Sequence, residues 1–181
     1  MSSVLWLGRS AVIAAAFAVP GAAVRAADGP VQAGSSDCSA LLTAARALGA
    51  APQFHSVMVA KAPNRRRPME REEVVIGQTL YATSPAGGRW MKLPINATGR
   101  EELAAALSRY PPHDCVVTDS TLDGVPVRLH TYRQDVSGPG SAATRLWAGE
   151  DGLPRRIESQ EGAVQIVITV RYDDVTAPSF H

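Results

Sequence analysis

With 181 residues and a formal net charge of +1, the chain lacks the basic excess that holds nucleic acid, and no nucleic-acid partner is expected. Its 45 % hydrophobic content excludes an intrinsically disordered polymer. Nearly all basic residues are arginine, since Lys61 and Lys92 are the only lysines.

Residues 1–26 read as an export signal. Arg9 supplies a small basic start, Ala11 to Val19 an apolar stretch, and Pro20-Gly21 break it, after which Val24-Arg25-Ala26 sets small residues at the spacing of a signal-peptidase site. The apolar run is much shorter than the roughly 20 residues that cross a bilayer, so the processed chain is not expected to span one. Cleavage near Ala26 removes Arg9 and Arg25 and no acid, leaving 16 basic and 17 acidic side chains. The remainder suits a single domain at 36–181 behind a flexible tail at 27–35, large enough to bury roughly 70 % of its unfolded surface. Secretion through this signal is expected to place the protein in the periplasm.

Two cysteines follow the signal, Cys38 and Cys115. An even count in an oxidising compartment predicts a disulfide. It joins a first helix to a strand behind a second helix. No C-x-x-C spacing marks a redox pair.

In chain order, Ser36 or Asp37 is a candidate N-cap for a helix running to Leu48, with Leu41, Leu42, Ala45 and Leu48 on one side and Gly49 as its stop. Strands are expected at 53–61, 69–76, 79–83 and 89–93, separated by the turn signals Pro63 to Pro68, Gly77-Gln78 and Ser84 to Gly88. Thr98 and Glu101 have capping-box spacing and open a second helix whose stripe is Leu103, Ala106, Leu107 and Tyr110, ended by Pro111-Pro112. A strand at 115–122, the Asp123-Gly124 turn and a return strand at 125–134 make a hairpin. On the return strand Val125, Val127, Leu129 and Thr131 share one face; Arg128, His130 and Tyr132 share the other.

The run 144–172 reads as three consecutive antiparallel strands with turns at Asp151-Gly152 and Glu161-Gly162. Its last strand alternates, with Val164, Ile166, Ile168 and Val170 set against Gln165, Thr169 and Arg171, and Val167 the one break. Consecutive hairpins predict a mainly β, α+β fold: about nine strands in one strongly curved antiparallel sheet, with two helices on its concave face.

Signs of catalysis are sparse. There is no G-x-S-x-G elbow, and the neighbouring carboxylates Glu72-Glu73, Glu101-Glu102 and Asp173-Asp174 read as solvated faces. His113-Asp114-Cys115 lies on extended chain, where neighbours point apart. His55 and His130 sit on strand faces beside polar residues and are expected to be solvated. No catalytic residue, metal ligand or cofactor is therefore assigned. Arg65-Arg66-Arg67 reads as a solvated loop that also blunts a sheet edge, with an anionic lipid or acidic partner as the functional alternative. Trp90 and Trp147 fall in mid-strand and are expected to anchor the core.

Several short segments resemble the LolA-like superfamily in order along the chain: Gln78 to Tyr81 followed by Gly88 to Pro94, the Asp123 to Pro126 hairpin, the Gly152 to Arg156 turn and the ending at 172–178. The resemblance implies an unclosed β-barrel with helices packed in its mouth and a hydrophobic cavity between them, in a protein that carries lipoproteins or lipids or senses them. On that footing the ligand is an acyl chain, lipid or other apolar small molecule, lying against Leu103, Leu107, Val164, Ile166, Ile168 and Val170. The alternative is a structural or interaction module with a packed interior whose rim binds another envelope protein.

Overall fold

The structure, a computed structural model, describes residues 38–84, 88–95, 110–135 and 140–180. The expected second helix with Leu103 and Leu107, the export signal, the 27–35 tail and the candidate caps Ser36 and Asp37 lie outside these residues. Among the described residues there is one helix, α1 (Ser39–Ala50), followed by nine strands: β1 (Gln53–Lys61), β2 (Met69–Ile76), β3 (Thr79–Thr83), β4 (Trp90–Pro94), β5 (Pro112–Leu122), β6 (Val125–Asp135), β7 (Ser141–Ala148), β8 (Pro154–Glu161) and β9 (Val164–Arg171).

All nine form one curved, unclosed sheet in the order β4-β3-β2-β1-β9-β8-β7-β6-β5. Every pairing is antiparallel. Seven of the eight pairings join strands consecutive in sequence; the β1–β9 pairing instead joins the front meander to the back one, with Met58 opposite Ile168. Edges remain at β4 and β5.

The turns follow from backbone chemistry. Asp123 and Gly124 both have positive φ, 52° and 82°, which matches the twist of a two-residue type I′ hairpin and suits the Asp-Gly pair. The β8–β9 turn is carried by Gly162 (φ 54°) and Ala163, one residue later than Glu161-Gly162.

The inner face, against which α1 lies, carries the core. Val164, Ile166, Ile168 and Val170 of β9 are buried there with Ala51, Phe54 and Val75. Removing each such aliphatic side chain from water contributes about 1.5–3 kcal/mol. A second cluster gathers Leu41 and Ala44 of α1 with Cys115, Tyr132, Leu146 and Ala148. Ile157 touches both clusters and makes them continuous.

Several expectations are corrected. The helix is capped by Cys38, with no side-chain capping bond, and runs through Gly49 to Ala50. Gly49 takes no left-handed conformation, so it does not stop the helix; Pro52 does, by holding Ala51 extended at ψ 128°. Strand β4 is shifted one residue from the expected span, and β5 begins at Pro112, three residues earlier than expected. A bulge at Asp114 (φ 53°) lies between His113 and Val116, and proline is tolerated because β5 is an edge strand. The Arg65–Arg67 loop joins two interior strands, so it blunts no edge; all three arginines are exposed. Trp90 and Trp147 sit on the outer face, half-buried, outside both core clusters.

Candidate functional site

The disulfide between Cys38 and Cys115 is present, with an S–S distance of 2.00 Å and a Cα–Cα separation of 5.3 Å. It ties the start of α1 to the bulged edge strand. The helix is thereby held over β5–β8, and Leu41, only 1 % exposed, is pressed onto the inner face.

Cross-strand partners share a face, so the inner surface can be read as rows. The central row runs Arg71, Met58, Ile168, Ile157, Leu146, His130 across β2, β1, β9, β8, β7 and β6. The next row runs Ala60, Ile166, Ser159, Thr144, Tyr132. The apolar β9 residues are thus the middle of a surface that becomes polar toward both sides. Val164, Ile166, Ile168 and Val170 all lie on it.

The polar groups are of two kinds. Thr144 Oγ1 and Ser159 Oγ are 3.1 Å apart and hydrogen-bonded, and Tyr132 is hydrogen-bonded to Thr144. Burial pushes the Tyr132 hydroxyl up to about 12 against that bond, so it stays protonated. This trio is satisfied internally. By contrast, His130 Nδ1 and Arg71 Nε are shut from solvent and have no hydrogen-bond partner. Arg71 Nη2 does pair with Glu73 Oε1 at 2.7 Å on the same face.

His130 corrects the solvated expectation, being 6 % exposed. Burial, reinforced by the Arg128 guanidinium, lowers its pKa from the ordinary histidine value. The unfolded chain therefore binds this proton first as pH falls through about 6.5, and the folded state loses stability from there down to the lowered native pKa. His130→Phe should consequently lose less melting temperature than the parent between about pH 7 and pH 5. Equal losses would assign the acid sensitivity to other groups.

The other histidines do not join it. His55 is on the outer face, where Arg171 Nε donates to its Nδ1 at 2.9 Å; Nε2 therefore carries the proton and faces Glu72 Oε2 at 3.3 Å. His113 Nε2 lies 3.9 Å from Asp114 Oδ2 in the exposed bulge. No group of three or more His, Cys, Asp or Glu among the described residues could hold a metal. None of the helices among the described residues is long and apolar enough to cross a membrane.

Tyr172, just beyond β9, packs against the first core cluster, its hydroxyl donating to the Pro154 carbonyl at 2.8 Å while the Arg155 guanidinium lies 4.8 Å from its ring centre. Burial raises its pKa, with Arg155 opposing. Beyond it the C-terminal segment reaches β3, where Phe180 meets the Tyr81 ring at 5.9 Å.

The fold and its surface define an open antiparallel half-barrel with one continuous apolar inner face and polar groups set into it. No family model matches the chain, and no curated protein matches it in sequence. Among solved structures it is similar to LprF from Mycobacterium bovis, at 15 % identity and a TM-score of 0.49 over 81 % of this chain and 99 % of that one. It is similar also to the Mycobacterium tuberculosis lipoprotein LppX, at 11 % identity and a TM-score of 0.48 over 77 % of this chain and 97 % of that one.

Sequence reasoning missed Arg71 and the burial of His130. Val74 and Val75 of β2 are both buried, so the strand's own pattern does not say which face Arg71 shares. The register with Met58 decides it.

Proposed function

We propose that the protein is an extracytoplasmic, non-enzymatic binding protein, exported to the periplasm by residues 1–26, that holds an acyl chain or another apolar ligand against the inner face of its sheet. The observation that carries this reading is the width of that face. A single apolar surface runs without a break from Phe54 and Val75 through the β9 row to Leu146, and its one covering helix among the described residues packs mainly at the β5–β8 side. A sheet that large, dry on one side and open at both edges, is suited to sharing its apolar surface with a guest. The disulfide supports an oxidising compartment. In this reading Val164, Ile166, Ile168 and Val170 touch the guest, and Leu103 and Leu107 of the expected second helix close over it.

Lipid extraction and native mass spectrometry of protein purified from the cell envelope should reveal a co-purifying apolar molecule, and the stripped protein should bind a fluorescent fatty acid. Repeated empty preparations together with no probe binding would overturn the reading. They would favour the interaction module, for which Met91 and Leu93 on edge strand β4, 40 % and 39 % exposed, are one exposed apolar pair among the described residues.

A further inference from the structure

Strand β4 is one edge of the sheet, and among the described residues nothing pairs with its outward side. Which of its backbone groups face that side follows from its bonds to the β3 hairpin partner. Ser84 N–H donates to the Arg89 carbonyl at 2.8 Å, and Ile95 N–H donates to the Gln78 carbonyl at 2.9 Å. Backbone groups alternate sides along an antiparallel strand, so Arg89, Met91, Leu93 and Ile95 turn theirs toward β3, and Trp90, Lys92 and Pro94 turn theirs outward. The open edge therefore offers the N–H groups of Trp90 and Lys92 and the carbonyls of Trp90, Lys92 and Pro94, proline having no N–H.

Sheet edges are commonly blunted by a bulge, a proline or a charge. The other edge is blunted in this way, since β5 has Pro112, the Asp114 bulge and the exposed Asp119. On β4 the register with β3 is unbroken from Trp90 to Pro94, and Pro94 only ends it. Lys92 leans back over the Tyr81 ring of β3, its Nζ 6.0 Å from the ring centre. Met91 and Leu93 are exposed on the inner side of this edge; on the outer side exposed Phe180 meets the same Tyr81 ring. Of the exposed large hydrophobic side chains among the described residues, all but Val125 thus gather here. The charge is one-sided as well. No acid occurs from Ser84 to Ile95, Arg89 and Lys92 are exposed, and Glu72, two strands in, faces His55. A second copy paired edge to edge would gather these cations from both chains with no acid in either strand to offset them.

We propose that β4 takes up an extended segment of a partner protein as an added antiparallel strand, and that this segment reads apolar-acidic-apolar. Its acidic residue lies opposite Lys92 and exchanges both backbone hydrogen bonds with it, while the flanking apolar side chains meet Leu93 and Met91 on the other face. The inference is independent of the apolar-ligand reading, because it uses the edge of the sheet and needs no guest within it.

The test titrates the purified protein with short end-capped peptides centred on Val-Glu-Val or Val-Lys-Val. The glutamate peptide should bind more tightly by about fivefold, the effect of an opposite-charge against a like-charge cross-strand pair. High salt should shrink that preference, and Lys92→Glu should reverse it. N-methylation of the central glutamate, whose N–H points at Lys92, should abolish binding; N-methylation of the valine after it, whose N–H points away, should leave most of it. Those two changes are in the peptide, so folding of the protein is not at issue. Met91→Thr with Leu93→Thr, which keeps strand propensity, should weaken both peptides, with circular dichroism showing that the variant is folded. Absence of binding, equal affinity for the two peptides, or equal effects of the two N-methylations would overturn the inference. Self-association of the parent that excludes the peptides would overturn it in favour of a second copy. Each of these outcomes leaves the fatty-acid binding test of the apolar-ligand reading untouched.

Discussion

Replacing Cys38 and Cys115 together by alanine should lower the unfolding free energy by about 2 to 4 kcal/mol. The bridge spans 77 residues, and the chain-entropy model assigns such a loop roughly 4.5 kcal/mol through restriction of the unfolded chain; real bridges usually deliver less. The folded side of the balance adds a reason specific to this chain. Cys115 is itself part of the inner cluster, and Cys38 caps a 12-residue helix that has no side-chain capping bond. A helix of that length is marginal alone in water. Urea unfolding of parent and double variant by circular dichroism measures the loss. A difference below about 1 kcal/mol, outside the usual range for such a bridge, would mean that packing alone seats α1.

Leu41→Ala should cost about 2 to 5 kcal/mol, the range for a large aliphatic side chain removed from a full core. Leu41 is 1 % exposed and meets Cys115, Tyr132, Leu146 and Ala148 where α1 crosses β5, β6 and β7. The rigid sheet beneath cannot collapse into the space, which favours the upper part of the range. Leu41 and the disulfide also seat the same helix, so their losses should not add: once the bridge is gone, part of the Leu41 contribution is already lost. The triple variant should fall short of the summed losses by about 0.5 to 3 kcal/mol. Additivity would show the two anchors to be independent.

Strands β1, β2 and β3 have the spans their sequence predicts, because each is bounded by residues with definite backbone demands: Pro52, the Pro63 to Pro68 loop and Gly77. The two alternating sets on β6 were legible as well, yet their sides were not. Val125, Val127, Leu129 and Thr131 are the more apolar set, but it is His130 and Tyr132 that turn toward α1, while Val125 is 60 % exposed. Neighbours override the pattern here. On β7, Ala142, Thr144, Leu146 and Ala148 are all buried, and pairing puts His130 and Tyr132 beside Leu146 and Thr144. Tyr132 is tolerated because Thr144 bonds it, and His130 because its neutral form is the cheaper one to bury.

The candidate site divides in the same way. Val164, Ile166, Ile168 and Val170 were visible as one face of a strand, since period-2 alternation is a property of one short segment. The Cys38–Cys115 bond was visible from the count of two. Arg71 and His130 could not be seen as related, because 59 residues of chain separate them and their common row exists only through the registers of six strands. Sequence alone determined that this chain makes hairpins, where they turn to within about a residue, and which cysteines join. Only the tertiary structure decided that β1 pairs with β9, closing two meanders into one sheet, and so which polar groups share its apolar face. Hairpins and turns are encoded within a few residues of each other, whereas β1–β9 pairing and the row it completes depend on segments brought together only when the whole sheet forms.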